Sequence, residues 1–212
     1  MSRSTCLVLW RHGVTDWNER GVFQGQTDIP LNQRGLAQAS AAAPRLAAFA
    51  PAAIVSSPML RAQQTAGALA DLVGRPIEVD DRMAEIDVGT WTGRTMAEVS
   101  AEDPAILAAI RSGRDYRRSP TGETMTEVGA RAGACLLDVA QAHPGSVSVI
   151  VSHSGAIRMG IANLLGWTHD TAVALGGMSN CAWAVLVKRY DVWRIETYNC
   201  ALPSQTATAG SI

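Results

Sequence analysis

The chain has 212 residues, 47% apolar and 17% charged, which suits one globular domain with a sizeable core. A net charge of −1 excludes a general nucleic-acid surface, which needs a basic face to displace counterions. No apolar stretch approaches the roughly 18 residues of a membrane span, and Cys6, Cys135, Cys181 and Cys200 lack C-x-x-C spacing, so free buried thiols are expected rather than a metal site or disulfides.

Along the chain, apolar strand-like runs alternate with Ala-rich helical segments, the pattern of an α/β protein. The first strand covers residues 6–10 and stops abruptly at Arg11-His12-Gly13, where Gly13 frees the backbone for a sharp exit. Asn32 is placed to N-cap a helix over 33–49, which Pro44 should kink or divide. A short strand at 53–56 leads to Pro58 as the first residue of a helix running towards Leu72 and ended by Gly74. After a strand at 77–79 the pattern weakens, interrupted by Gly89, Gly93, Pro104 and Gly113, and reads as a loop-and-helix cover over about 86–123. Thr124 and Glu127 form a capping box for a helix reaching about Ala142. A second long apolar strand, 147–151, ends in Ser152-His153-Ser154-Gly155, and a helix over 156–165 follows. A turn at 175–180 precedes strands near 181–187 and 192–198, joined as a hairpin around 188–191. These elements make one domain over 1–203, and the Ser/Thr/Ala/Gly-rich tail 204–212 is expected to be disordered.

Open α/β sheets present their ligand crevice at the carboxyl ends of the strands. Arg11 and His12 end one long strand and His153 another, so both histidines are expected at one sheet edge. Arg61, in the first turn of the helix beyond the 53–56 strand, adds a guanidinium to the positive end of a helix dipole. Each residue alone has an ordinary reading, as a strand-end histidine or a solvated arginine. Their convergence points to phosphate, which a guanidinium grips by two oxygens while an imidazole nitrogen attacks phosphorus. His143, beside Pro144, and His169, in a polar turn, read as surface residues.

In order and spacing, several segments resemble the histidine phosphatase superfamily, the phosphoglycerate-mutase-like family. They are Arg11-His12-Gly13 with Thr15 and Asn18, the run from Gln24-Gly25-Gln26 to Asn32, and Ser56-Ser57-Pro58-Met59-Leu60-Arg61-Ala62 with Thr65-Ala66. Glu85 with Gly89, Trp91 and Gly93, then Gly122-Glu123-Thr124 and Val151-Ser152-His153-Ser154-Gly155, complete the set. The resemblance implies a three-layer α/β/α sandwich with a mixed, mainly parallel sheet. It implies a metal-independent phosphomonoesterase that works through phosphohistidine and needs no cofactor. His12 would be the nucleophile, attacking as a neutral imidazole with its other nitrogen held by a hydrogen bond. Arg11, Arg61 and His153 would hold the phosphoryl oxygens. Glu85 would protonate the departing alkoxide and later accept a proton from the attacking water. On the residues alone, Glu85 is not distinguishable from Asp81 or Asp87. Asn18, Gln24 and Gly25 would bind substrate.

The implied partner is a small phosphorylated metabolite, not nucleic acid or membrane. Relatives are often homodimers, but nothing in the sequence marks an interface. No basic-then-apolar leader precedes Leu7, and a cytoplasmic location is expected. The 175–180 segment, Trp183 and Asp191-Val192-Trp193 also look like actinobacterial glucosyl-3-phosphoglycerate phosphatases, which suggests that substrate. Trp17, Phe23 and Trp91 are candidates to line the mouth of the site. The main alternative is a cofactor-dependent phosphoglycerate mutase. In the mutases an arginine directly follows the catalytic glutamate, whereas here Ile86 and Asp87 follow Glu85. Arg117-Arg118 points the other way, as a pair that could bind a carboxylate from the cover or be a solvated turn. A catalytically inactive phosphate-binding protein is the remaining reading, and the intact set of His12, Arg11, Arg61, Glu85 and His153 argues against it.

Overall fold

Alternation along the first strand sorts the interior into two layers. The computed structural model describes residues 4–203, and in it β1 (Thr5–Arg11) sends Cys6, Val8 and Trp10 to one face and Leu7 and Leu9 to the other. The chain continues through α1 (Asp16–Glu19), α2 (Gln33–Ala47), β2 (Ala53–Ser56), α3 (Leu60–Val73) and β3 (Ile77–Val79). Two 3-10 turns, Asp81–Met83 and Gly89–Trp91, lead into α4 (Met96–Glu102) and α5 (Ala105–Arg111). The last elements are α6 (Met125–Ala142), β4 (Val147–Ser152), α7 (Ser154–Leu164), α8 (His169–Ala172), β5 (Trp183–Arg189) and β6 (Val192–Cys200).

The six strands form one sheet in the order β3-β2-β4-β1-β5-β6. The first four in that order are mutually parallel, β5 runs antiparallel to β1, and β6 runs antiparallel to β5, so the sheet is mixed and mainly parallel, as expected. On one face α2 and α3 bury Ala39, Ala42, Leu46, Ala62, Ala66 and Leu69; on the other α6 and α7 bury Cys135, Leu136, Ile157 and Ile161. A third apolar cluster joins Ile86, Val88, Trp91, Val99 and Ile106 to Met125, Val128 and Met159, seating the 86–111 segment on α6 and α7. The expected tail, 204–212, lies outside the described residues.

Several boundaries differ from expectation, each for a physical reason. Helix α2 runs through Pro44 undivided, because Pro44 and Ser40, whose carbonyl loses its helical partner, both lie on the exposed side of the helix. Pro58 does not open α3. The helix starts at Leu60 with Met59 as its extended N-cap, and Asp28 Oδ1 accepts the Leu60 N–H at 2.5 Å. Helix α7 begins at Ser154, two residues early, which aims the N–H groups of Gly155 and Ala156 at the sheet edge. Strand β5 begins at Trp183 because Cys181 adopts a left-handed φ of 57°.

The turn after β1 and the start of α2 meet backbone to backbone. A Cβ on Gly35 would stand 2.1 Å from the Val14 carbonyl oxygen, and one on Gly13 would stand 2.5 Å from the Gly35 carbonyl oxygen. Gly35→Ala should therefore destabilise the fold by about 1–3 kcal/mol, the usual cost of overpacking, and lower kcat. Urea denaturation alongside steady-state kinetics checks this.

Candidate active site

Strands β2, β4 and β1 lie side by side, with Ser56 paired to Val151 and Arg11 to Ser152. Ser57, His153 and His12 therefore step off the same carboxyl edge, and the ladder extends one residue further, as Ser57 N–H donates to Val151 O at 2.9 Å and His12 N–H to Ser152 O at 3.0 Å. The two imidazole centroids are 5.1 Å apart. His12 Nδ1 lies 2.6 Å from the Gly13 carbonyl oxygen. A carbonyl can only accept, so Nδ1 carries the proton and Nε2 keeps its lone pair. Burial, then the Arg61 and Arg11 charges, hold His12 well below the ordinary histidine value, against the opposing pull of the Gly13 hydrogen bond. Burial, then Arg61, His12 and Arg11, do the same to His153. Both rings are neutral at pH 7.

The positive charge comes from Arg11 and Arg61. Arg61 is 1% exposed and donates to Thr27 O and Gly25 O, each at 2.8 Å. Gly25 is at φ +49°, and a Cβ there would stand 2.8 Å from Val88 Cγ2, so glycine lets this carbonyl reach the guanidinium. Gly25 thus acts on Arg61. Thr65 Oγ1 donates to Arg61 O at 2.7 Å and accepts the Gly13 N–H at 3.1 Å, coupling the arginine's backbone to the turn after His12. Arg11 donates to the Met178 carbonyl. The Nε atoms of Arg11 and Arg61 are buried without a hydrogen-bond partner among the described residues. Burial lowers both guanidinium pKa values, Arg61 down to about 10, which leaves it protonated at neutral pH. Buried donors without partners are costly until an anion arrives.

Glu85 sits opposite, at the amino end of α7. Its Oε1 accepts from Ile86 N at 2.9 Å and Ala156 N at 3.2 Å, and Oε2 from Gly155 N at 3.3 Å. A Cβ on Gly155 would stand 2.5 Å from Oε1, so the carboxylate needs glycine there. The other two carboxylates that the sequence leaves open lie elsewhere: Asp81 is exposed in its 3-10 turn, and Asp87 Oδ1 accepts the Gly89 N–H at 2.8 Å. Arg131 of α6 braces the Glu85 loop. It donates to Arg82 O at 2.8 Å, Ala84 O at 2.6 Å and Glu85 O at 3.0 Å, and to both oxygens of Glu123 at 2.9 and 2.8 Å. Glu123 Oε2 in turn accepts the Asp87 N–H at 2.8 Å.

Asn18 and Gln24 are brought to the same edge. Asn18 Oδ1 accepts from Thr15 N at 3.0 Å and Thr15 Oγ1 at 3.1 Å, and Gln24 Oε1 lies 3.1 Å from Thr15 Oγ1. Their amide NH2 groups make no hydrogen bond among the described residues. The Arg117-Arg118 pair is split. Arg117 turns outward to Glu127 Oε1 at 2.5 Å and Gly122 O at 2.6 Å. Arg118 lies 3.8 Å over the Tyr116 ring, and burial lowers its pKa despite nearby Tyr116, Asp115 and Glu85. Trp91, 6% exposed, packs on Phe23 and Tyr116 and belongs to the third cluster, not to a mouth. His143 caps α6 and is half-buried. His169 is not a surface residue either: its side chain is 13% exposed, with Nε2 3.8 Å from Asp115.

Sequence reasoning misses Ser57, Thr65, Arg131 and Asn180 as working residues. Asn180 donates to His12 O at 3.1 Å and Gly13 O at 3.2 Å from a segment that reads as a plain turn. The available signal for Arg131 is its place as the lone cation in a helix of mostly apolar and small residues. Among the described residues no three His, Cys, Asp or Glu side chains gather to hold a metal ion, and no helix is long and apolar enough to cross a membrane.

A doubly wound sheet whose carboxyl edge gathers two neutral imidazoles, two desolvated guanidiniums and a carboxylate defines a histidine-type phosphatase. The chain belongs to the histidine phosphatase superfamily (branch 1), whose profile matches residues 7–201. It is 36% identical over 214 residues to the glucosyl-3-phosphoglycerate phosphatase of Mycolicibacterium vanbaalenii, covering 92% of this chain and 94% of the relative. It is also 35% identical over 160 residues to the probable phosphoglycerate mutase GpmB of Yersinia pestis, covering 76% and 74%. Among solved structures, a mycobacterial glucosyl-3-phosphoglycerate phosphatase in complex with VO3 superposes with a TM-score of 0.86 at 34% identity, over 93% of this chain and all of the other.

Two outcomes follow from this geometry. Arg131→Leu strands Glu123 and three carbonyls, and should cost about 2–3 kcal/mol, the scale of hydrogen bonds to a charged group, with Arg131→Lys recovering only part, as read by denaturation. The depressed histidine pKa values set a pH dependence. Below about pH 6.5 the unfolded chain binds protons at these positions while the folded one does not. Stability should therefore fall with falling pH by about 2–3 kcal/mol per unit for two such groups. The His12→Gln/His153→Gln double variant should flatten that slope.

Proposed function

We propose that His12 is the nucleophile, that Arg11, Arg61 and His153 hold the transferring phosphoryl group, and that Glu85 is the general acid and then base. The observation that carries this reading is the His12–Gly13 hydrogen bond, which leaves Nε2 as a neutral lone pair among two positive charges. Nε2 attacks phosphorus in line, the ester oxygen departs with a proton from Glu85, and phosphohistidine forms. Water, giving its proton back to Glu85, then attacks phosphorus and releases phosphate and His12. The guanidiniums stabilise the equatorial oxygens throughout, so the protein's own charges do the electrostatic work. The amide NH2 groups of Asn18 and Gln24 supply neutral donors to the same oxygens. Residues 86–123 form the cover within a single domain over 1–203.

For the substrate, we place the chain with its relatives as a phosphatase of a small phosphorylated sugar acid, glucosyl-3-phosphoglycerate. Identity over more than nine-tenths of both chains supports this. Four free cysteines support a cytoplasmic location. A mutase is the second reading, favoured by the likeness to probable phosphoglycerate mutases. Against it, Ile86, where the mutases carry arginine, is 7% exposed within the third cluster, and Arg117 is committed to Glu127.

Phosphate release across a panel of esters tests the reading. Glucosyl-3-phosphoglycerate should be hydrolysed selectively, His12→Ala should abolish turnover, and chelators should leave it unchanged. Interconversion of 3- and 2-phosphoglycerate without phosphate release would establish the mutase instead. Glu85→Gln should slow alkyl esters by about 10²–10⁴-fold, the range of general acid catalysis. It should slow p-nitrophenyl phosphate far less, because that leaving group departs without a proton.

A further inference from the structure

Ser57 stands at the end of β2, fully buried, in a place that the chemistry above does not use. Its Oγ is 2.7 Å from His153 Nε2 and accepts the Met59 N–H at 3.3 Å. The other ring nitrogen, His153 Nδ1, is buried without a partner among the described residues. A hydroxyl has one proton to give and two lone pairs. Met59 occupies one lone pair. Were the imidazole proton on Nε2, it would fill the second, the hydroxyl proton would have no acceptor, and Nδ1 would present a lone pair to an incoming anion. The reverse assignment leaves one group open instead of two: the hydroxyl donates to Nε2, and the neutral ring carries its proton on Nδ1, a donor that an incoming anion would satisfy.

We propose that Ser57 is a positioning residue that holds His153 in its Nδ1–H tautomer, making it a hydrogen-bond donor to the bound oxyanion. His12 is held in the same tautomer by the Gly13 carbonyl, but turned the other way. Its N–H is tied inward and its lone pair faces the site, whereas His153 has its lone pair tied inward and its N–H free. Two rings 5.1 Å apart thus take opposite parts, one giving electrons to phosphorus and the other a proton-bearing edge to oxygen. The extended conformation of Met59, which delays α3 to Leu60, keeps its N–H on Ser57 Oγ and orients the hydroxyl. The identity of the oxyanion rests on the phosphatase reading; the tautomer does not.

The test is a long-range proton–nitrogen correlation spectrum of the full chain, labelled with nitrogen-15 at histidine, at neutral pH without ligand. His12→Gln and His153→Gln variants assign the signals. Both histidines should show a protonated Nδ1 and a bare Nε2. Ser57→Ala should move His153 towards the Nε2–H form and leave His12 unchanged, while Ser57→Thr, which keeps the hydroxyl, should preserve the native signals. In the same series kcat should fall about 100-fold in Ser57→Ala, the loss expected for one oxyanion donor, and recover in Ser57→Thr. A wild-type His153 protonated at Nε2, or a Ser57→Ala spectrum identical to wild type, overturns the proposal. If Ser57→Ala does not fold, the wild-type spectrum decides alone. Failure of the phosphatase reading would show separately, as no phosphate released from any ester.

Discussion

The parallel pairing of β1 with β4 is the constraint on which the site depends. It sets Arg11 against Ser152 and so puts His12 and His153 next to each other, one residue beyond the paired strands. A shift of one residue in that register would carry one imidazole to the opposite face of the sheet. The register is held because β1 is buried on both faces, by Val8 and Trp10 on one and Leu7 and Leu9 on the other, so no slipped alignment keeps both cores filled. The neighbouring β2, in register with β4, brings Ser57 and the start of α3 with Arg61 to the same edge.

Electrostatically the edge is kept short of partners. The arginines are anchored through their terminal nitrogens to carbonyls of Thr27, Gly25 and Met178, which carry no charge to neutralise them. Glu85, the carboxylate that faces the edge, is turned onto backbone N–H groups of α7 and of its own loop. The result is a desolvated, net positive pocket with neutral imidazoles, an arrangement stabilised by a phosphoryl dianion more than by water. Anchoring also fixes the geometry in advance, so little reorganisation is needed when charge develops in transfer.

Much of this is legible in the sequence because it is local. Asn32 and the Thr124–Glu127 box cap their helices as read, since a capping signal is complete within four residues. The two apolar runs ending in histidine mark the edge, because strand burial and strand end are both written in consecutive residues. What is not legible is what depends on meeting. Ser57 works through a ring 96 positions away, Asn180 through a carbonyl 168 away, and Arg131 through carbonyls more than 45 away. The split of Arg117 from Arg118 is equally hidden, since neighbours in sequence turn to Glu127 and Tyr116 respectively. Resemblance to the family locates Glu85, and the structure shows why that carboxylate and not Asp81 or Asp87 faces the edge.

The position of β1 has a consequence for how the molecule is made. Its ladder partners are β4, at Val147–Ser152, and β5, at Trp183–Arg189. Both partners therefore follow β1 by more than 130 positions. Until β4 has been made, an apolar strand with both edges open must be kept from pairing elsewhere, a situation that favours slow, non-local assembly and dependence on chaperones during synthesis. The loop carrying Met178 and Asn180, which closes the back of the Arg11-His12-Gly13 turn, lies further along still, between β4 and β5. The Arg11-His12-Gly13 turn is thus made long before the residues that hold it in place.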